Sequence, residues 1–149
     1  MSAPEFDSLS VFVDGPVDPA LPAACTERFG ANEAIGAHLL FQGQVRADRM
    51  EAGHVVGIEY TAHERMARSV FDDIVRRSAE QYGILDVVVC HSLGYVPAGQ
   101  VSLLVAVATA HRDDAYGASR FILEAIKSDV PIFGREIGDD EASRWKVNR

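Results

Sequence analysis

A chain of 149 residues, 48% of them hydrophobic and 24% charged, has the size of one globular domain able to bury a core. Its formal net charge of −8 argues against general electrostatic attraction to nucleic acid or an anionic membrane, so any anionic ligand has to be caught locally. Cys25 and Cys90 form no Cys-x-x-Cys pair, the five histidines offer no metal-spaced pair, and no apolar run approaches the roughly 18 residues of a membrane span; a reduced, soluble, unexported, cytoplasmic protein without metal is expected.

Residues 1–5 carry little pattern. Residues 8–14 alternate apolar and β-branched side chains and predict a first strand, stopped by Gly15 and Pro16. An alanine-rich stretch over 19–29, closed by Gly30, predicts a helix. Residues 34–45 form an apolar run that reads as a mostly buried strand leading to Gly43-Gln44-Val45-Arg46. The polar stretch 47–54 predicts a loop to the next strand, 55–60, and two strands so joined suggest an antiparallel pair.

Thr61-Ala62-His63-Glu64 has the form of a capping box and predicts a helix start. Met66, Val70 and Ile74, with Ala67, Phe71, Val75 and Ala79 beside them, make its apolar face. Strands are then expected over 85–93 and 101–110, with turn residues at 94–99 making a hairpin. Asp113 is placed to cap a last helix whose inward stripe is Ala115, Ala118, Ile122, Ala125 and Ile126, and Pro131 ends it before a short strand. With no internal repeat or linker, the order describes a single α+β domain with an antiparallel sheet and packed helices.

Charged groups collect at the ends of the elements between 107 and 136, where sites tend to form. His111-Arg112, at a strand-to-helix junction, can hold a phosphate or carboxylate with help from the helix amino end, or can be a capping histidine beside a solvated arginine. Lys127 is one of only two lysines in the chain. Near an apolar stripe its amine is favoured in the neutral form, which can attack a carbonyl or act as a base; alternatively it offsets the negative end of the helix. Arg46, Arg135 and Glu136 are either site residues or surface charges. His91 lies in an apolar strand and reads as a hydrogen-bonded core histidine. Trp145 reads as a packing residue that ties down the carboxyl end, or as an aromatic that stacks on a ring.

Taken together, Gly43-Gln44-Val45-Arg46, Ile58-Glu59-Tyr60, Met66-Ala67, His91-Ser92-Leu93-Gly94, Ala110-His111-Arg112, Ile126-Lys127, Pro131 to Glu136 and Trp145 resemble the large, catalytic subunit of molybdopterin synthase, over residues 34–145. The resemblance implies an α+β fold of the α/β hammerhead type and a homodimer of large subunits. A small ubiquitin-like subunit at each outer end, carrying a C-terminal thiocarboxylate, would complete a heterotetramer. Two such sulfurs convert cyclic pyranopterin monophosphate into the dithiolene of molybdopterin, in molybdenum cofactor biosynthesis. The resemblance makes Lys127 the catalytic lysine beside the partner's glycine tail. It makes Arg46, His111 and Arg112 ligands of the anionic pterin, some of them across the dimer interface. Gln44 and Val45 line that pocket, and Arg135 and Glu136 complete it. No cofactor is implied, because the pterin is substrate and the partner's thiocarboxylate supplies the sulfur.

The chain departs from the family pattern at several positions. A second active-site lysine is Gly134 here, the usual tryptophan is Phe133, the usual His-Arg is His91-Ser92, and a usual glutamate is Gln100. Lys146 is a candidate to compensate for the missing amine. The alternative reading is a non-catalytic paralog that binds the small subunit or the pterin as a regulatory module.

Overall fold

The computed structural model describes residues 4–139 and 143–145. Its centre is β5 (Val101–Thr109), in which eight consecutive residues from Ser102 to Thr109 are buried. A strand covered on both faces needs no polar alternation, and this run has none. Leu103, Val105 and Val107 pack with Phe71, Ile74 and Ile122. Leu104, Ala106 and Ala108 face the other way, towards Val17, Cys25 and Phe29.

The other strands are β1 (Phe12–Asp14), β2 (Ala37–Gln44), β3 (Val55–Ala62), β4 (Asp86–Pro97), β6 (Ile132–Gly138) and β7 (Ser143–Trp145). Among the described residues they form a seven-stranded sheet in the order β2-β5-β4-β3-β6-β7, with the short β1 pairing parallel to β4. The expected β4–β5 hairpin is present, with its turn at Pro97–Gln100. Gly94 is not part of that turn. It sits inside β4 at φ +79°, a conformation that costs glycine little, and there β4 leaves β5 and pairs with β3.

The expected pairing of the strands around residues 34–45 and 55–60 does not occur. Among the described residues β2 pairs only with β5, while β3 lies between β4 and β6. A loop between sequence neighbours favours such a pairing, but the backbone edge of β2 is taken by β5, far along the chain. The first strand is also shorter than expected, because Asp7 accepts from the Leu9 amide and winds Ser8–Ser10 into a 3₁₀ turn.

Helices α2 (Glu64–Tyr82) and α3 (Arg112–Asp129) pack together on one face of the sheet, and α1 (Leu21–Gly30) covers the other. α2 starts where expected but without the capping box: Thr61 is still in β3, and His63 at the N-cap makes no side-chain capping bond. The buried face of α2 is Ala67, Phe71, Ile74, Val75 and Ser78, whereas Met66 is 60% exposed. α3 is capped at His111, again without a side-chain bond, so Asp113 lies inside the first turn and favours the helix through its charge. Its inward stripe is Ala115, Ala118, Ile122 and Ile126, with Ala125 only partly buried. Trp145 does not pack into the core: it is 65% exposed, opposite Arg135 in the β6–β7 pair.

Candidate active site

The end of α3 positions the central residue. Pro131 stops the helix, the Val130 amide donates to the Ile126 carbonyl, and Lys127 is left exposed in the last turn. Two clefts meet at this lysine. The first, about 330 Å³, is walled by Tyr60, His91, Ile126, Val130, Ile132, Phe133, Gly134 and Trp145. The second, about 280 Å³, is more polar and is lined by Gln42, Gln44, Val45, Arg46, Ser102 and Glu136. Lys127 and Tyr60 belong to both.

Of the residues singled out from the sequence, the fold therefore brings Gln44, Val45, Arg46, Lys127 and Glu136 together. Arg46 forms an ion pair with Asp48 at 3.2 Å, and its side chain is 73% exposed. A pair in that setting is worth no more than about 1 kcal/mol, so the guanidinium can turn to an anionic ligand at small cost. Glu136 is only 6% exposed.

His111 and Arg112 stand at the opposite end of α3. Fifteen residues of helix separate Arg112 from Lys127, roughly 22 Å at 1.5 Å per residue, so one chain cannot bring both ends of the helix to one small ligand. Both are exposed. Arg135 alternates with Glu136 along β6 and points to the outer face of the sheet, where it donates to Glu59 at 3.0 Å. Lys146 lies outside the described residues.

His91 is buried, as a core histidine should be, and its Nδ1 donates to the Ser92 carbonyl at 2.7 Å. Its ring meets Tyr60 edge to face at 5.1 Å and still lines the first cleft. Ser92, where the family pattern has arginine, is fully buried, and its hydroxyl has no hydrogen-bond partner. Gly134 lies opposite Tyr60 in the β3–β6 pair. A Cβ there would sit 3.1 Å from Ile58 Cγ2 and 3.3 Å from Tyr60 Cε1, so a side chain at this position presses on the cleft wall.

The lining residues that were not singled out from the sequence include Tyr60, as a shared wall, and Ser102. Tyr60 is 6% exposed and its hydroxyl donates to Ser102 Oγ at 3.1 Å. Burial pushes the Tyr60 phenol above its usual range, the Ser102 hydrogen bond offsets part of this, and the charge of Glu136 adds to the rise. No group of three or more His, Cys, Asp or Glu is placed to hold a metal ion among the described residues. No helix of the described residues is long and apolar enough to cross a membrane.

Fold and site together define an α+β protein with a lysine-centred double cleft, in which one side carries the aromatic residues Phe133 and Trp145 and the other Gln44, Arg46, Asp48 and Glu136. The chain belongs to the MoaE protein family, which matches over residues 16–129. It is 39% identical over 116 residues to the molybdopterin synthase catalytic subunit of Oryza sativa subsp. indica. That match covers 78% of this chain and 59% of the rice protein, so the chain spans about three fifths of that relative's length. Among solved structures, molybdopterin synthase from Staphylococcus aureus superposes with a TM-score of 0.79 at 27% identity, covering 97% of this chain and all of that one. A complex of subunits 1 and 2 of molybdopterin-converting factor from Helicobacter pylori shares the fold, with a TM-score of 0.76 at 20% identity over 93% of this chain and 90% of that chain.

Proposed function

We propose that the chain is the catalytic subunit of a molybdopterin synthase, working in molybdenum cofactor biosynthesis. The observation that carries the reading is the position of Lys127 in the wall common to both clefts. The first cleft takes the glycine tail of a small ubiquitin-like subunit, and the second takes cyclic pyranopterin monophosphate, with Arg46 as its cation and Gln44, Val45 and Glu136 around it. Lys127, between them, assists sulfur transfer as a base or as an amine acting on the activated acyl carbon. For each sulfur delivered, the acyl–sulfur bond breaks and water adds to the acyl carbon to restore the tail carboxylate, while on the pterin a sulfur–carbon bond replaces a carbon–oxygen bond whose oxygen leaves as water or, where the cyclic phosphate opens, stays on the phosphate. No cofactor enters this scheme.

His111 and Arg112 serve the pterin site of a second copy, because the length of α3 keeps them from their own Lys127. This reading includes a homodimer with a small subunit at each outer end. Arg135 joins the pterin only by leaving Glu59. The two buried, unlinked thiols accord with a reducing, cytoplasmic setting.

The test is a single-turnover reaction of the purified protein with a thiocarboxylated small subunit and cyclic pyranopterin monophosphate, read by mass spectrometry of the tail and the pterin. Dithiolene product with the tail returned to carboxylate is expected. A partner that binds and keeps its sulfur would overturn the reading in favour of the non-catalytic paralog that Gly134 suggests.

A further inference from the structure

Ser102 owes its position to an irregularity in the sheet. Along β5, Leu104, Ala106 and Ala108 face the α1 side, and a regular strand would send Ser102 the same way. The β2–β5 register breaks there: Gly43 pairs with Leu103 and Gln44 with Val101, so Ser102 is skipped. An extra residue of this kind re-aims its side chain, and here it meets the Tyr60 hydroxyl at 3.1 Å and lines the polar cleft. Ser102 is only 7% exposed and Tyr60 6%.

Two hydroxyls 3.1 Å apart share one hydrogen between them, so the pair keeps a second hydroxyl hydrogen. With Tyr60 as the donor that second hydrogen is on Ser102, and the polar cleft is the space beside it. Tyr60 is held in turn by the His91 ring, itself fixed through Nδ1 to the Ser92 carbonyl. We propose that Ser102 is a substrate-binding residue of the polar cleft, donating to a ring oxygen or nitrogen of the bound pterin, and that Tyr60 is the positioning residue that orients it. This rests on the pterin reading of that cleft.

The experiment is a double-mutant cycle on the intact protein with its small subunit, using Ser102→Ala, Tyr60→Phe and the double variant. Both changes remove one oxygen and keep the packing shape, and thermal unfolding checks that each variant folds. The half-saturating concentration of cyclic pyranopterin monophosphate in single turnover should rise about three- to tenfold for Ser102→Ala, as expected for one lost hydrogen bond. Tyr60→Phe should raise it by no more than that, and the double variant should match Ser102→Ala, since Tyr60 acts through the serine. Affinity for the small subunit should not change. Wild-type pterin affinity in folded Ser102→Ala, or losses in the two single variants that simply add, would overturn the proposal. A wild-type protein that turns over normally beside an unaffected Ser102→Ala would reject this inference while leaving the function in place. A wild-type protein without turnover would instead reject the function.

Discussion

Replacing Lys127 by alanine separates chemistry from folding. The side chain is exposed in the last turn of α3, so truncating it opens no core cavity. The fold loses the lysine's surface interactions: a cation near the negative end of a helix is worth about 0.3–1 kcal/mol and an exposed ion pair no more than about 1 kcal/mol, and the high helix propensity of alanine offsets part of that. For a chain of this size, 1 kcal/mol moves Tm by roughly 2–4 °C, so the melting temperature should fall by no more than about 8 °C. Removing a base or nucleophile from a transfer step, by contrast, costs about 10²- to 10⁴-fold in rate. Single-turnover sulfur transfer read by mass spectrometry should show that loss, with small-subunit binding by calorimetry changed less than about threefold, a difference under 1 kcal/mol. Lys127→Arg should not restore transfer, because a guanidinium stays protonated and supplies neither a base nor an attacking amine. A folded Lys127→Ala protein that transfers sulfur at close to the wild-type rate would refute the role given to this residue.

Two further predictions concern the frame around the site. At Gly36 a Cβ would fall 2.1 Å from the Ala110 carbonyl oxygen, a backbone atom just before His111, so Gly36→Ala must displace either β2 or the entry to α3. Its stability to urea should drop by about 1–3 kcal/mol, the usual range for overpacking, and an unchanged midpoint would show that the two strands part without cost. Burial pushes the Cys90 thiol up from 9.0 to about 11 and raises Cys25 as well. Folding therefore favours the protonated thiols, and stability should be level below pH 9 and fall as pH rises from about 9 towards 11, where the unfolded chain ionises first. Iodoacetamide at pH 8 should label neither cysteine until denaturant is added; rapid labelling of the native protein would contradict the burial.

Much of the local structure was legible in the sequence for direct physical reasons. The period of Ala115, Ala118, Ile122 and Ile126 marks the buried stripe of α3, and Pro131 ends that helix because it has no amide to continue it. The apolar run of β5 and the turn residues before it gave the β4–β5 hairpin. The motif residues from Gly43 to Glu136 led to the molybdopterin synthase resemblance, and the MoaE family match agrees with it. Local chemistry misled where a competing contact won. Thr61 stayed in β3, whose pairing with β6 runs on to Ala62, so it could not cap α2.

Tertiary structure alone decided which charges share a cleft. A sequence lists His111, Arg112, Lys127, Arg135 and Glu136 within one stretch, but helix length puts the first two some 22 Å from the lysine, and strand alternation turns Arg135 away from Glu136. Arg46 joins Lys127 because β2 and β6 are brought near α3 by strands far apart in the chain. Ser102 reaches Tyr60 because one residue is skipped in the β2–β5 register. Periodicity along a chain fixes which face a residue presents, since that depends only on local geometry. Which faces meet depends on long-range pairing, and a single bulge can reverse what the local period implies.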